Sequence, residues 1–248
     1  MTGTALVIGG SRGIGAAIAK RLARDGFRLR LTYRHRQRHA EEVCAAIVAA
    51  GGVASAAQLD ICDADAVERF AAGLAREPGR IDVLILSASG GMERGMPEGY
   101  ADEINVIAQE RLVEALAPLI PSGGAIVYLT SHEAHFSGAV APFGPYATIA
   151  GSKHRGEQRL RARAVELEKR GIAFRIVSAD LVEGTATAKL LEMAYPGLIA
   201  ARRGQIGRLP FAEDVAEEVA ALLAEAPAPG LATCYVWDPG AKYLAGQA

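Results

Sequence analysis

At 248 residues the chain has about the length of one large α/β domain. Half of the residues are hydrophobic and 22% are charged, which supplies a core and excludes global disorder. Lys plus Arg number 27 against 28 for Asp plus Glu, so the formal net charge is −1 and no overall basic field exists to hold nucleic acid or an anionic membrane. Cys44, Cys62 and Cys234 are scattered and lack CxxC spacing, which argues against a disulfide framework or a zinc site and for a reducing cytoplasm. The opening MTGTALVIGG carries no basic region before a long apolar run, so no signal peptide is expected. No apolar stretch approaches the ~20 residues needed to span a bilayer.

Short apolar runs alternate with longer helical stretches. Strands are expected at Thr4–Ile8, Arg28–Tyr33, Val53–Leu59, Asp82–Ser87, Ala125–Thr130, Ile172–Ser178 and Thr233–Trp237. Several are apolar at consecutive positions, as parallel strands covered on both faces are. Helices are expected at Gly13–Asp25, Gln37–Ala50, Asp63–Arg76, Ala101–Leu119, Tyr146–Arg170 and Ala212–Ala226. Gly26, Gly51, Gly52, Gly79 and Gly171 fall where helices should stop, and Asp63 fits an N-cap. Repeated strand–helix–strand units imply right-handed crossovers and a doubly wound parallel sheet, one α/β domain over residues 1–248. Residues 185–210 break the rhythm, apolar at first and basic at Arg202, Arg203 and Arg208; they read as a substrate lid or as an ordinary surface helix pair.

The first strand runs into Gly9, Gly10, Ser11, Arg12, Gly13, Ile14 and Gly15, followed by an Ala-rich helix. Glycines there allow a tight turn and close approach of backbone to a pyrophosphate, while the helix N-terminus offers free N–H groups and a positive dipole end. An acid roughly 20 residues on would bind a ribose 2′-hydroxyl. The chain instead reads Thr32-Tyr33-Arg34-His35-Arg36. Arginine suits phosphate oxygens, so Arg12 and Arg34 read as a clamp for the 2′-phosphate of NADPH.

The spacing Gly9-xxx-Gly13-x-Gly15 resembles the short-chain dehydrogenase/reductase family, and the resemblance spans nearly the whole chain. It implies a seven-stranded Rossmann fold, with Asp60-Ile61 at the adenine and Ser87-Ala88-Ser89-Gly90 replacing the family's Asn-Asn-Ala-Gly. It further implies that Asn105 is the structural asparagine, that Ser131 is the catalytic serine and that Lys153 holds the nicotinamide ribose. Val177–Thr187 matches the family's Pro-Gly-x-x-x-Thr stretch, with Ala179-Asp180 in place of Pro-Gly and Thr185 beside the cofactor.

The chemical end departs from the family. A tyrosine four residues before the lysine would stack on it across one helical turn and have its pKa lowered. Here Ile149 holds that position, and Tyr146 lies seven residues from Lys153. At ~1.5 Å per residue that is about 10 Å along a helix. Three explanations stay open. Tyr146 serves as the acid from an irregular helix start. Alternatively the proton comes from the substrate's own hydroxyl or from a non-tyrosine donor such as His132, His135, Ser131 or water. In the third, the chain binds NADPH as a sensor or scaffold without turnover. His132 and His135 flank Glu133 as loop residues, and no partner set makes them a metal site. His35, His39 and His154 read as surface residues, and Glu183 as a solvated acid.

The departures resemble the atypical ketoreductases that tailor angucyclinone-type aromatic polyketides. That resemblance implies an NADPH-dependent ketoreductase whose small-molecule substrate is a bulky, aromatic ketone, with Leu190, Leu191, Met193, Tyr195, Leu198 and Ile199 as an apolar lid. A lyase or isomerase on the same scaffold is the further option. The long helix carries His154, Arg155, Glu157, Arg159, Arg161 and Arg163; desolvating such a face is costly, so a monomer or weak dimer fits.

Overall fold

A computed structural model describes residues 3–76, 80–93, 95–224 and 228–237. Seven strands form one parallel sheet: β1 (Thr4–Ile8), β2 (Arg28–Tyr33), β3 (Val53–Gln58), β4 (Val83–Leu86), β5 (Ala125–Ser131), β6 (Ala173–Ala179) and β7 (Gly230–Tyr235), in the order β3-β2-β1-β4-β5-β6-β7. The helices are α1 (Gly13–Arg24), α2 (Gln37–Ala49), α3 (Ala64–Arg76), α4 (Tyr100–Asp102), α5 (Ala108–Leu116), α6 (His132–His135), α7 (Ala147–Lys169), α8 (Ala186–Ala194), α9 (Leu198–Ile206) and α10 (Ala212–Ala224). The doubly wound Rossmann-like fold expected from the sequence is the one observed. Among the described residues no helix is long and apolar enough to cross a membrane.

Successive side chains of a strand leave on opposite faces. Ala5, Val7, Val83 and Ile85 therefore join one core with α1, α2 and α10, while Leu6, Ile8, Leu84 and Leu86 join the other with α3, α5 and α7. Each such fully buried aliphatic side chain contributes about 1.5–3 kcal/mol. The edge strand β3 is the exception, half-open along its length. Asp63 does cap α3, its Oδ1 accepting the Ala66 N–H at 3.0 Å. Gly26, Gly51 and Gly171 end helices at positive φ, where a Cβ would be strained. The expected stop at Gly79 and the last residues of the expected final helix, Glu225 and Ala226, lie outside the described residues.

Three boundaries differ. The last strand begins at Gly230 rather than Thr233, because Gly230-Leu231-Ala232 pairs with Ala173-Phe174-Arg175. Arg175, buried in β6, straps that edge by donating to the carbonyls of Gly230 and Ala228, both at 2.7 Å. The helix expected over Ala101–Leu119 is broken: α4 passes through a π-helical turn, Glu103–Ile107, into α5 and ends as a 3₁₀ turn, Ala117–Leu119. Tyr146 belongs to a 3₁₀ turn, Gly144–Tyr146, and α7 begins after it.

The charges on α7 are matched inside the chain. Arg155 pairs with Asp102 at 2.5 Å, Arg159 with Glu110 at 2.9 Å, and Arg163 with Glu110 and Glu114. These pairs close α7 onto the α4–α5 segment. Gly156 permits the contact: a Cβ there would lie 1.9 Å from the Asn105 carbonyl oxygen in the π turn. Gly156→Ala should therefore destabilise by about 1–3 kcal/mol despite alanine's better helix propensity. Urea unfolding would show this as a lower midpoint; an unchanged or higher midpoint would contradict the close approach.

Candidate active site

The turn after β1 is shaped for an anion. Arg12 occupies the N-cap of α1 without a side-chain capping bond, and the first turn holds no acid. The orphan N–H groups are thus left to an outside ligand. Gly9 has φ +83°, and a Cβ on it would come within 2.9 Å of the Ala88 nitrogen; one on Gly15 would reach 2.4 Å from the Gly9 carbonyl oxygen. At Gly13 the space a Cβ would fill is open, which leaves a backbone cradle. Ser11, Arg12 and Gly13 share this cavity with Lys20, His39 and Thr185. These groups fit the pyrophosphate of a dinucleotide. Lys20 and His39 were not singled out in the sequence; His39, read as surface, lies on this cavity wall.

Arg34 stands elsewhere. Its Nη1 donates to the Tyr100 hydroxyl, and its guanidinium lies 5.8 Å from the Tyr100 ring centroid. Burial lowers the guanidinium, but Tyr100, Asp60 and Glu93 outweigh it and leave it raised. The structure thus places Arg12 at the phosphate turn and Arg34 toward Asp60, with no shared contact between the two arginines among the described residues. Asp60 Oδ1 accepts the Cys62 N–H at 3.0 Å, and Ile61 is buried. Ser87 continues the β1–β4 pairing through its N–H to Ile8 O, and the Ala88 carbonyl accepts from Gln109. Ser89 reaches the second cavity, described next.

That cavity, about 170 Å³, opens at the C-terminal ends of β5 and β6. Ser131, His132, Tyr146 and Lys153 line it, with Phe143, Leu191 and Leu198 as apolar wall. Ile14 and Thr185 join it to the phosphate end; Thr185 lines both cavities and N-caps α8 by accepting the Ala188 N–H at 3.2 Å. Ser131 N-caps α6, so His132 to His135 form a short helix rather than a loop. His132 is buried with Nδ1 2.7 Å from Ser178 Oγ. His135 turns away from the cavity, bonding Glu157 at 2.8 Å and Tyr235 at 2.9 Å. His154, read as surface, bonds the Ala134 carbonyl at 2.9 Å.

Asn105 stands behind the cavity. Its amide nitrogen donates to Gly90 O and Ser152 Oγ, and its oxygen accepts the Gly90 N–H, so it ties the loop after β4 to α7. Ile149 packs in an apolar cluster with Ala150 and Leu191 and does not line the cavity. Tyr146 does. Burial raises its phenol to about 12, with hydrogen bonding to Ser131 pulling the other way and Glu133 adding to the rise. Lys153 is half-buried on the same wall, and desolvation lowers its ammonium to about 8 against the opposing field of Glu157. The two groups are shifted by different neighbours, the Tyr146 phenol by Ser131 and Glu133 and the Lys153 ammonium by Glu157.

Residues 185–210 form α8 and α9, latched to the segment after β6. Arg202 grips Asp180 through Nε and Nη2, the closest contact being 2.6 Å, and both side chains are about nine-tenths buried. Arg203 holds Glu183 at 2.7 Å, so Glu183 is ion-paired rather than merely solvated. Arg208 lies 3.5 Å over the Trp237 ring. Of the apolar residues expected as a lid, Leu191 and Leu198 line the cavity; Leu190, Met193 and Tyr195 are exposed, and Ile199 is half-buried outside the cavity lining.

A family model described as enoyl-(acyl carrier protein) reductase matches residues 8–240. The chain is 32% identical to a hydroxynaphthalene reductase of Aspergillus fumigatus over 182 residues, 70% of this chain and 64% of that protein. Among solved structures, a short-chain dehydrogenase from Burkholderia cenocepacia in complex with NADP superposes with TM-score 0.77 at 30% identity, covering 94% of this chain and 96% of that one. A promiscuous reductase, LugOII, that catalyses keto-reduction at C1 during lugdunomycin biosynthesis superposes with TM-score 0.75 at 25% identity, with the same coverage of 94% and 96%.

Breaking the Asp180–Arg202 pair leaves a buried carboxylate without its counter-ion, with only the Leu181 N–H still donating to it, and opening the helix pair to water is the less costly response. Arg202→Ala should raise amide hydrogen exchange across residues 186–206 at least ~10-fold while β1 and β4 keep their protection. Unchanged exchange in that segment would show that the pair does not hold it.

Proposed function

Because the chain belongs to the short-chain dehydrogenase/reductase family, we propose that it is an NADPH-dependent ketoreductase acting on a bulky aromatic ketone of polyketide type. The observation that carries this reading is one apolar-walled cavity lined by Ser131, Tyr146 and Lys153 and joined through Thr185 to the phosphate turn. The hydroxynaphthalene reductase and LugOII relatives support the aromatic ketone, and the NADP complex supports the cofactor. So does Arg34, which stands where an acid would favour NADH.

NADPH, when bound, supplies the hydride. Gly9 to Gly15 would hold its pyrophosphate, Arg12 and Arg34 its 2′-phosphate, Asp60 and Ile61 its adenine, and Lys153 and Thr185 the nicotinamide end. The chain's own task is to orient the ketone and protonate the developing alkoxide. Ser131 and Tyr146 present hydroxyls to one space, and Tyr146 is the proton donor. A phenol at about 12 suffices, because an alkoxide is about as basic as hydroxide, whose conjugate acid lies near ~15.7. The raised phenol also favours a second reading: a hydroxyl on the substrate, with a phenolic pKa near ~10, is the stronger acid and supplies the proton already bonded to its carbonyl. His132, bonded to Ser178, is placed to shape the cavity floor. Three free cysteines fit a reducing compartment.

Protein, NADPH and a panel of aryl ketones should show loss of absorbance near ~340 nm. NADPH binding without oxidation by any ketone would instead mark a sensor or scaffold. Tyr146→Phe should lower turnover about 10²–10⁴-fold on ketones lacking an adjacent hydroxyl, with NADPH affinity intact. Full activity of that variant on ortho- or peri-hydroxy ketones alone would assign the proton to the substrate; full activity on all ketones would remove Tyr146 from the chemistry. Arg12→Ala and Arg34→Ala should each weaken NADPH far more than NADH in calorimetry, and equal losses would remove the clamp.

A further inference from the structure

Glu157 lies one helical turn beyond Lys153 on α7 and is completely buried. Residues four apart share one face of a helix. Its Oε1 accepts from His135 Nδ1 at 2.8 Å and from Arg161 Nε at 2.9 Å. Its Oε2 is buried with no hydrogen-bond partner. An ionised carboxylate is costly to bury, and a half-satisfied one more so. A structural strut between α6, α7 and β7 would need only the satisfied oxygen. The surrounding charged and titratable groups come from four elements. They are His135 on α6, Lys153 and Arg161 on α7, Tyr128 on β5 with its hydroxyl 3.5 Å from the Lys153 carbonyl, and Tyr235 on β7. Thr233 holds Arg161 at 3.1 Å and Tyr235 holds His135 at 2.9 Å, so both of Glu157's donors are themselves fixed.

We propose that Glu157 is a positioning residue of the reductase centre: His135 and Arg161 fix its carboxylate one helical turn along α7 from Lys153, and that carboxylate keeps Lys153 an ammonium at the cavity wall. This rests on the ketoreductase reading for what the ammonium then does, which is to hold the nicotinamide ribose. Burial alone would raise Glu157, yet His135 and Arg161 leave it below the ordinary carboxylate range, so it stays charged. Removing the carboxylate therefore lets the Lys153 midpoint fall; removing Arg161 leaves the carboxylate less neutralised and lets the midpoint rise.

The full chain carries lysine only at Lys20, Lys153, Lys169, Lys189 and Lys242, so ¹³Cε-lysine NMR can resolve Lys153, with Lys153→Arg assigning its signal. In the protein without cofactor, Glu157→Gln should lower the Lys153 midpoint by about one unit or more, Glu157→Asp should keep most of it, and Arg161→Gln should raise it. NADPH affinity of Glu157→Gln should match wild type at pH 6 and fall about fivefold or more at pH 8. An unmoved Lys153 midpoint in folded Glu157→Gln, or an affinity loss equal at both pH values, would reduce Glu157 to packing. Should Glu157→Gln fail to fold, the absence of a rise in Arg161→Gln overturns the proposal equally. Failure of every ketone to oxidise NADPH would overturn the ketoreductase reading while leaving the midpoint shifts standing.

Discussion

All seven strands run the same way, so each strand's C-terminal end opens onto one edge of the sheet and every return must cross over a face. That single constraint brings the glycine turn after β1, the Ser131 cap after β5 and the Asp180 segment after β6 to a common rim. The order reverses between β1 and β4, and the crevice at such a switch point is where open α/β sheets take ligands. Because Ser87 prolongs the β1–β4 pairing and Gly9 allows the Ala88 backbone to come close, the crevice floor is narrow and made of backbone.

α7 connects the rim to the core. Its first turns carry Lys153 and its middle carries Gly156 and Glu157, so one helix sets the ammonium, the contact with the π turn and the buried carboxylate together. Asn105 fixes the same helix from the other side through Ser152. The extra residue of the π turn brings the Asn105 carbonyl against Gly156, and the side chain is then free to clamp Gly90. A change at Gly156 thus reaches the cavity through helix position, without any contact with ligand.

What the sequence made legible follows from short-range physics. Strands buried on two faces show as unbroken apolar runs, glycines mark turns that only they can make, and Asp63 announces a helix start. What it concealed depends on distant partners. Glu157 looks like one more charge on a polar helix because His135 is 22 positions away and Tyr235 lies on β7. Arg202 and Arg203 look like a basic surface because Asp180 and Glu183 are 22 and 20 positions back. Tyr146 looks too far from Lys153 only on a continuous helix; the 3₁₀ turn before Ala147 delivers its ring to the cavity beside Ser131.

The raised Tyr146 phenol has a directional consequence. A tyrosine lowered by a neighbouring ammonium can be a phenolate near neutral pH and so accept a proton from an alcohol as well as give one to an alkoxide. With its phenol at about 12, Tyr146 is almost wholly protonated at neutral pH. Each unit between pH and pKa removes a factor of ten from the phenolate available as base. Protonation of an alkoxide keeps its full supply of acid, while abstraction from an alcohol is starved of base by about 10⁵ at pH 7. A phenol raised this far therefore suits delivery of a proton over its abstraction, which is the direction the proposed reduction needs.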